Sequence, residues 1–184
     1  MTESAPEPTP APDAGTVRSA LEAVAALLAP GIPGVAEQVL HAHDDPAGFV
    51  RAHADRLDDR GIDEPFPGLP WIALVNALDD QGLLAEFDWK EGSDEIHWQL
   101  GRLESRPSVD PLALLGTAGT ELPTHEFLEL CGRHYGEVGK ALAVLDIESD
   151  CYPVVCLPAR LAGELTAVAA RAGFAAWHLG GGTA

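Results

Sequence analysis

Through the first part of the chain, apolar residues recur three or four positions apart, which is the spacing of an amphipathic helix. This spacing predicts helices over residues 16–29, 34–43 and 46–60, with Asp45 and Pro46 as the cap and first turn of the third helix. Similar stretches predict later helices that begin at Pro70, Ser93 and Pro158 and a helix over residues 123–138. The N-terminal part of the protein is therefore expected to be helical.

From residue 83 onward, the chain also contains short apolar runs of strand length. They predict strands over residues 83–89, 141–147, 152–157 and 174–179. Only a short polar break separates the second run from the third, so we expect these two to pair as an antiparallel hairpin. Both runs are apolar on both faces, and such strands are usually covered by other elements. The hairpin should therefore lie at the centre of a small sheet with helices against it.

Together these elements predict a single α+β domain over residues 16–184, preceded by a disordered Pro/Ala/Glu-rich tail over residues 1–15. A helical N-terminal part at 16–61 would precede a sheet-containing core at 69–179. The strand–helix–strand order at the end allows a right-handed crossover, which would place the last strand parallel to the second hairpin strand. We therefore expect a small mixed sheet built around an antiparallel hairpin and covered by helices.

The formal net charge of −18 narrows the range of partners. It argues against nucleic acid, whose phosphates would be repelled, and it allows a basic protein partner. The alternative is that the acidity serves solubility or reflects the composition of the host. No stretch reaches the roughly 20 apolar residues that span a bilayer, and the N-terminus lacks the features of a secretory signal. We therefore expect a cytoplasmic protein without a membrane partner.

The residue types that bind metals and cofactors occur without a recognisable motif. The densest group follows the second predicted helix and consists of His41, His43, Asp44 and Asp45. Histidine and aspartate are common at helix ends for capping and dipole reasons, so we interpret this group as structural. The cysteines, which we interpret as small buried hydrophobes, are Cys131, Cys151 and Cys156. We expect no metal and no cofactor.

Three acidic residues of the hairpin, Asp146, Glu148 and Asp150, are spaced two apart. On one face of a continuing strand they would suit a hard cation, but aspartate is also an ordinary hairpin-loop residue that hydrogen-bonds its own backbone. Asp146 differs from the others because it interrupts an apolar run. A partly buried carboxylate needs a partner, and we expect the donor to be Ser149 or Tyr152.

A second candidate binding surface is Asp88-Trp89-Lys90, at the end of the first predicted strand. Tryptophan dominates the energetics of many protein interfaces, so a charged pair around an indole favours a contact surface. The alternative is that Trp89 closes the rim of the core. Together with Asp146, Asp150 and Tyr152 of the hairpin, these three residues form the predicted binding set.

Several short motifs resemble a bacterial domain-of-unknown-function family. They are L-P-W-x-A-L from Leu69, G-L-L from Gly82, D-W-K from Asp88 and L-D-I-x-S-D-x-Y from Leu145. The resemblance covers roughly residues 69–174 and implies no activity. The S-D-x-Y hairpin is also similar to hairpins of small immunity-type proteins, which neutralise toxins from competing bacteria.

These observations favour a non-enzymatic protein-binding module, in particular an immunity-type inhibitor of a cationic partner. One alternative is an enzyme that uses carboxylate and histidine chemistry, with Asp146, Asp150 and His134 as candidates. Another is a small-molecule-binding protein whose pocket lies between the sheet and the helices. The sequence leaves these alternatives open.

Overall fold

The computed structural model describes residues 14–113, 115 and 121–181. Its helices are α1 (Ala14–Leu28), α2 (Pro33–Asp44), α3 (Pro46–Ala52), α4 (Ala54–Asp58), α5 (Leu69–Asp80), α6 (Ser93–Leu100), α7 (Thr124–Glu137) and α8 (Ala162–Arg171). Its strands are β1 (Leu84–Asp88), β2 (Lys140–Leu145), β3 (Cys151–Pro158) and β4 (Ala176–His178). The predicted tail lies outside the described residues except at positions 14 and 15, which belong to α1. None of the described helices is long and apolar enough to cross a membrane.

The four strands form one sheet in the order β1-β3-β2-β4, which confirms the predicted α+β class and the central hairpin. Each pair of neighbours is antiparallel, so the prediction of a mixed sheet is wrong. The reason is the crossover through α8, which carries the chain past β2 to its outer edge. The last strand does run in the same direction as β3, but β2 lies between them.

Helices cover both faces of the central hairpin, as its apolar composition predicted. On one face, Leu142, Val144 and Val154 pack in a cluster with α6 and α7. On the other face, Ala143 and Val155 belong to a cluster with α1, α2, α5 and α8. All five residues are 2% exposed or less. Full burial of one valine or leucine side chain contributes roughly 1.5–3 kcal/mol, so the hairpin stabilises both layers at once.

The predicted helix over residues 46–60 is divided into α3 and α4 at His53. Asp45 caps α3 as expected, with its Oδ1 accepting a hydrogen bond from the Gly48 N–H at 2.9 Å. His53 then leaves the helical region, with φ −120° and ψ 25°. Phe49 before the break and Leu57 after it are both buried in a third apolar cluster against α5. No glycine or proline lies at the break, and the helices on both sides of it pack on that cluster.

Candidate functional site

The sheet brings the ends of its strands together around the hairpin turn. In the β1–β3 pair Asp88 lies opposite Cys151, and in the β2–β4 pair Leu145 lies opposite Ala176. The residues that follow β1 and those that join β2 to β3 therefore lie at the same end of the sheet. We call residues 88–90 and 146–150 the hairpin end. It contains five of the six predicted binding residues.

Asp146 organises the turn of the hairpin end. Its Oδ1 accepts a hydrogen bond from the backbone N–H of Glu148 at 2.8 Å, and its own N–H donates to the carbonyl of Ala175 at 3.0 Å. The prediction that Ser149 or Tyr152 donates to this carboxylate is therefore wrong, although the carboxylate does accept a hydrogen bond from the turn as expected. Glu148 has a φ of +56°, a left-handed conformation that is uncommon outside glycine. The Asp146 carboxylate thus holds Glu148 in a strained position with an exposed side chain.

A cleft of about 610 Å³ lies beside this turn. Three separate segments form it: the loop that enters α5, the hairpin turn, and the connection from α8 to β4. The rings of Trp71 and Phe174 stack in parallel in its wall, with centroids 4.7 Å apart and planes inclined by 4°. The lining residues are Phe66, Pro67, Gly68, Trp71, Ile72, Asp146, Ile147, Glu148, Ala172, Gly173, Phe174 and Ala175.

The lining of the cleft is apolar except on the side of the turn. Its charged side chains, Asp146 and Glu148, are both acidic. Trp71 is 1% exposed, and its indole N–H has no hydrogen-bond partner among the residues described. Phe66 is 40% exposed, so part of the aromatic wall faces solvent. This arrangement suits a ligand that combines an apolar body with a positive charge.

The segment Asp88-Trp89-Lys90 lies two strands away from Asp146 at the same end of the sheet. The Asp88 carboxylate accepts a hydrogen bond from the Lys90 N–H at 2.9 Å. The Lys90 Nζ lies 4.1 Å from the centroid of the Trp89 ring, and Trp89 is 52% exposed. Tyr152, the sixth predicted residue, instead lies opposite Phe87 and packs against the core cluster of α6 and α7.

A partly buried ion pair, absent from the sequence predictions, joins the N-terminal helices to the sheet. The Arg60 guanidinium donates to both carboxylate oxygens of Glu86, at 3.0 and 2.6 Å, and its Nε donates to Asn76 at 2.9 Å. Burial alone would lower the pKa of Arg60, but the bonds to Glu86 raise it above its ordinary value. The alternation of β1 could have indicated that Glu86 needs a partner, because it puts Glu86 on the same face as the buried Leu84.

The carboxylates and the histidine proposed for an enzyme lie apart. His134 is in the last turn of α7 and contacts Glu137, with 3.5 Å between Nδ1 and Oε2. From there β2 runs roughly 20 Å, at about 3.4 Å per residue, to the turn that holds Asp146 and Asp150. The fold therefore does not assemble these three residues into one catalytic group.

The metal-like group at the end of α2 has structural contacts. Asp44 pairs with Arg18, with 3.1 Å between the carboxylate and the guanidinium, and Asp45 caps α3. The His41 ring lies edge-on to Phe49, with centroids 5.5 Å apart. Within the described parts of the chain, no three His, Cys, Asp or Glu side chains are placed to hold a metal ion.

Comparison with models of protein families places this chain in a family. A family model described as Domain of unknown function (DUF6630) matches residues 20–180, which include the sheet, its covering helices and the cleft. No curated protein and no solved structure matches the chain. The predicted resemblance to an uncharacterised domain family is thus confirmed, and the match extends beyond residues 69–174 at both ends. The chain belongs to the family Domain of unknown function (DUF6630).

Proposed function

We propose that this chain is a non-enzymatic protein-binding module that recognises a basic partner through the hairpin end. The observation that carries the proposal is the acidic and aromatic surface at that end. Its four acidic residues have no ion-pair partner among the described residues; they are Asp88, Asp146, Glu148 and Asp150. An exposed tryptophan is a frequent anchor of protein interfaces, and the unpaired carboxylates beside it complement a positively charged partner.

The net charge of −18 adds long-range attraction to this local surface. A summed negative potential raises the association rate of a basic partner and lowers it for an acidic one. We favour an inhibitor of a cationic partner, because the S-D-x-Y hairpin is similar to hairpins of immunity-type proteins and the acidic surface would attract such a partner. The proposal needs no catalytic group in this chain.

A small-molecule-binding protein is the second candidate, and the cleft beside the hairpin turn is the observation that favours it. Its volume of about 610 Å³ falls within the range of roughly 300–1,000 Å³ that is typical of ligand pockets. Apolar walls with a few polar groups on one side are also typical of such pockets. In this case the ligand would be a cationic small molecule, and acidic residues outside the cleft, such as Asp88, would contribute little to binding.

Binding of a short peptide rich in lysine and arginine, measured by fluorescence anisotropy at several salt concentrations, tests the proposal. A glutamine peptide of equal length serves as the neutral probe. The double variant Asp88→Asn/Asp150→Asn should weaken binding of the basic peptide. The matched control Glu137→Gln/Glu164→Gln removes the same charge at the opposite end of the sheet, where α7 ends and α8 begins, and should weaken it less.

The control separates a specific surface from general attraction. If both double variants lose the same affinity, the basic peptide senses only net charge, and the hairpin end is not the contact surface. If the glutamine peptide binds as well as the basic peptide, a cationic partner is wrong.

A further inference from the structure

The cleft beside the hairpin turn selects ligands by charge as well as by shape. Phe66, Trp71 and Phe174 give it aromatic walls, whereas Asp146 and Glu148 make one side acidic. An anion would be repelled by the two carboxylates. A neutral apolar ligand would remove water from them without offering a donor, which is unfavourable. A ligand with an apolar stem and a cationic head matches both the aromatic walls and the two carboxylates.

We propose that the cleft binds an arginine side chain of the basic partner, an inference that rests on the proposed function. A guanidinium group presents five N–H donors in a planar fork that matches carboxylates, and it stacks on aromatic rings. Lysine carries a compact and more strongly hydrated charge, which gains less from an aromatic wall. Arginine is also among the residues that dominate protein interfaces.

The position of the cleft favours a side chain of a protein over a free amine. The acidic side of the cleft continues along the hairpin turn from Glu148 to the exposed Asp150. Asp88 lies at the end of β1, which β3 separates from β2, at the same end of the sheet. The residues that flank an inserted arginine would therefore lie over further carboxylates, which a free amine does not reach.

The backbone of the turn and one aromatic wall of the cleft are fixed before a ligand arrives. Glu148 is held at a φ of +56° by the hydrogen bond from its N–H to Asp146. The Phe66 ring lies over Gly68, where a Cβ atom would come within 2.5 Å of the ring Cε2. A glycine at this position lets the ring form the wall of the cleft. Such preorganisation reduces the entropy lost when a partner binds.

An NMR titration of the isotope-labelled full chain tests the inference, with a capped peptide that has one central arginine as the probe. The same peptide with citrulline, which has the shape of arginine but no charge, is the control. The arginine peptide should shift the backbone amide signals of Ile147, Glu148 and Gly173 and the indole N–H signal of Trp71. The citrulline peptide at the same concentration should shift none of them.

Two single variants localise the effect. Glu148→Gln should raise the dissociation constant of the arginine peptide about ten-fold, as expected when the acceptor of a hydrogen bond from a guanidinium loses its charge. Because the Glu148 side chain is exposed, this variant should fold normally. Glu164→Gln, which removes one exposed carboxylate from α8, should leave the dissociation constant unchanged.

Several outcomes would overturn the inference. Equal shifts with the arginine and citrulline peptides would show that binding does not depend on the charge. Shifts confined to residues outside the cleft would show that the peptide binds elsewhere. Agmatine binding as tightly as the peptide would identify a small-amine site instead. If binding of the basic peptide depends on Asp88 and Asp150 but not on Glu148, the proposed surface stands and the arginine cleft falls. If no basic probe binds, both proposals fall.

Discussion

Two glycines on one helix should respond in opposite directions to the same substitution. Gly132 and Gly136 both lie in α7, four residues apart. A Cβ atom at Gly132 would lie 2.7 Å from the Cβ of Leu179 and closer still to its carbonyl group, whereas nothing lies within 4 Å at Gly136. Gly132 therefore allows the segment after β4 to pack directly on the backbone of α7.

The structure gives the sign and the size of each effect. Alanine is favoured over glycine in a helix interior by about 1 kcal/mol, so Gly136→Ala, near the helix end, should raise the free energy of unfolding by about 0.5 kcal/mol. At Gly132 overpacking costs up to about 3 kcal/mol. The atoms in contact cannot move away easily, because the neighbouring Gly180 N–H donates to Glu129 at 2.6 Å. The net result for Gly132→Ala should be a loss of about 2 kcal/mol.

Urea denaturation followed by tryptophan fluorescence and by circular dichroism measures both variants. The midpoints should shift in opposite directions while the slopes stay equal, since neither substitution changes the surface exposed on unfolding. Hydrogen exchange at Gly180 should quicken in Gly132→Ala alone. If Gly132→Ala is as stable as Gly136→Ala, the close packing of the C-terminal segment on α7 is refuted.

Three further predictions concern the charged and thiol groups. Arg60→Met should lower the free energy of unfolding by about 2–3 kcal/mol, because it leaves Glu86 partly buried without its partner. Adding Glu86→Leu should recover part of that loss. If the double variant instead loses the sum of the two single losses, Arg60 and Glu86 are not energetically coupled. Burial alone would raise the pKa of Asp110, but hydrogen bonds from the Leu112 backbone N–H and with the His97 ring lower that pKa below its ordinary value. That carboxylate therefore stabilises the fold above its ordinary pKa, and the contribution is lost as pH falls through the lower folded-state value. Asp110→Asn should lower the free energy of unfolding by about 0.5 kcal/mol at neutral pH and leave it unchanged in strong acid. A stability difference that stays constant across pH in thermal melts would contradict the lowered pKa of Asp110. Iodoacetamide should alkylate Cys151 first in the native protein, because Cys151 is only partly buried whereas the other two cysteines are buried. Burial raises the pKa of all three thiols, and it raises those of Cys131 and Cys156 to about 12 and about 11. Mass spectrometry detects the order of modification, and equal alkylation of all three would contradict the burial of Cys131 and Cys156.

The sequence by itself determined where most of the helices and strands lie and the position of the hairpin. Residues 141–147 and 152–157 are apolar on both faces, and a strand of that kind is buried on both sides, so its central place in the sheet follows from local pattern. The polar break between them permits only a tight turn, and a lone carboxylate before it is expected to bond that turn. Asp146 does so, through Glu148.

The tertiary structure decided which elements meet. Periodicity reports how much of each element is buried, but it carries no information about the neighbour that buries it. For this reason the pairing of β4 with β2, the break at His53 and the bond between Arg60 and Glu86 could not be predicted. The cleft has the same origin, because residues 66–72, 146–148 and 172–175 are far apart in sequence and form one wall only after α5 and α8 have packed on the sheet.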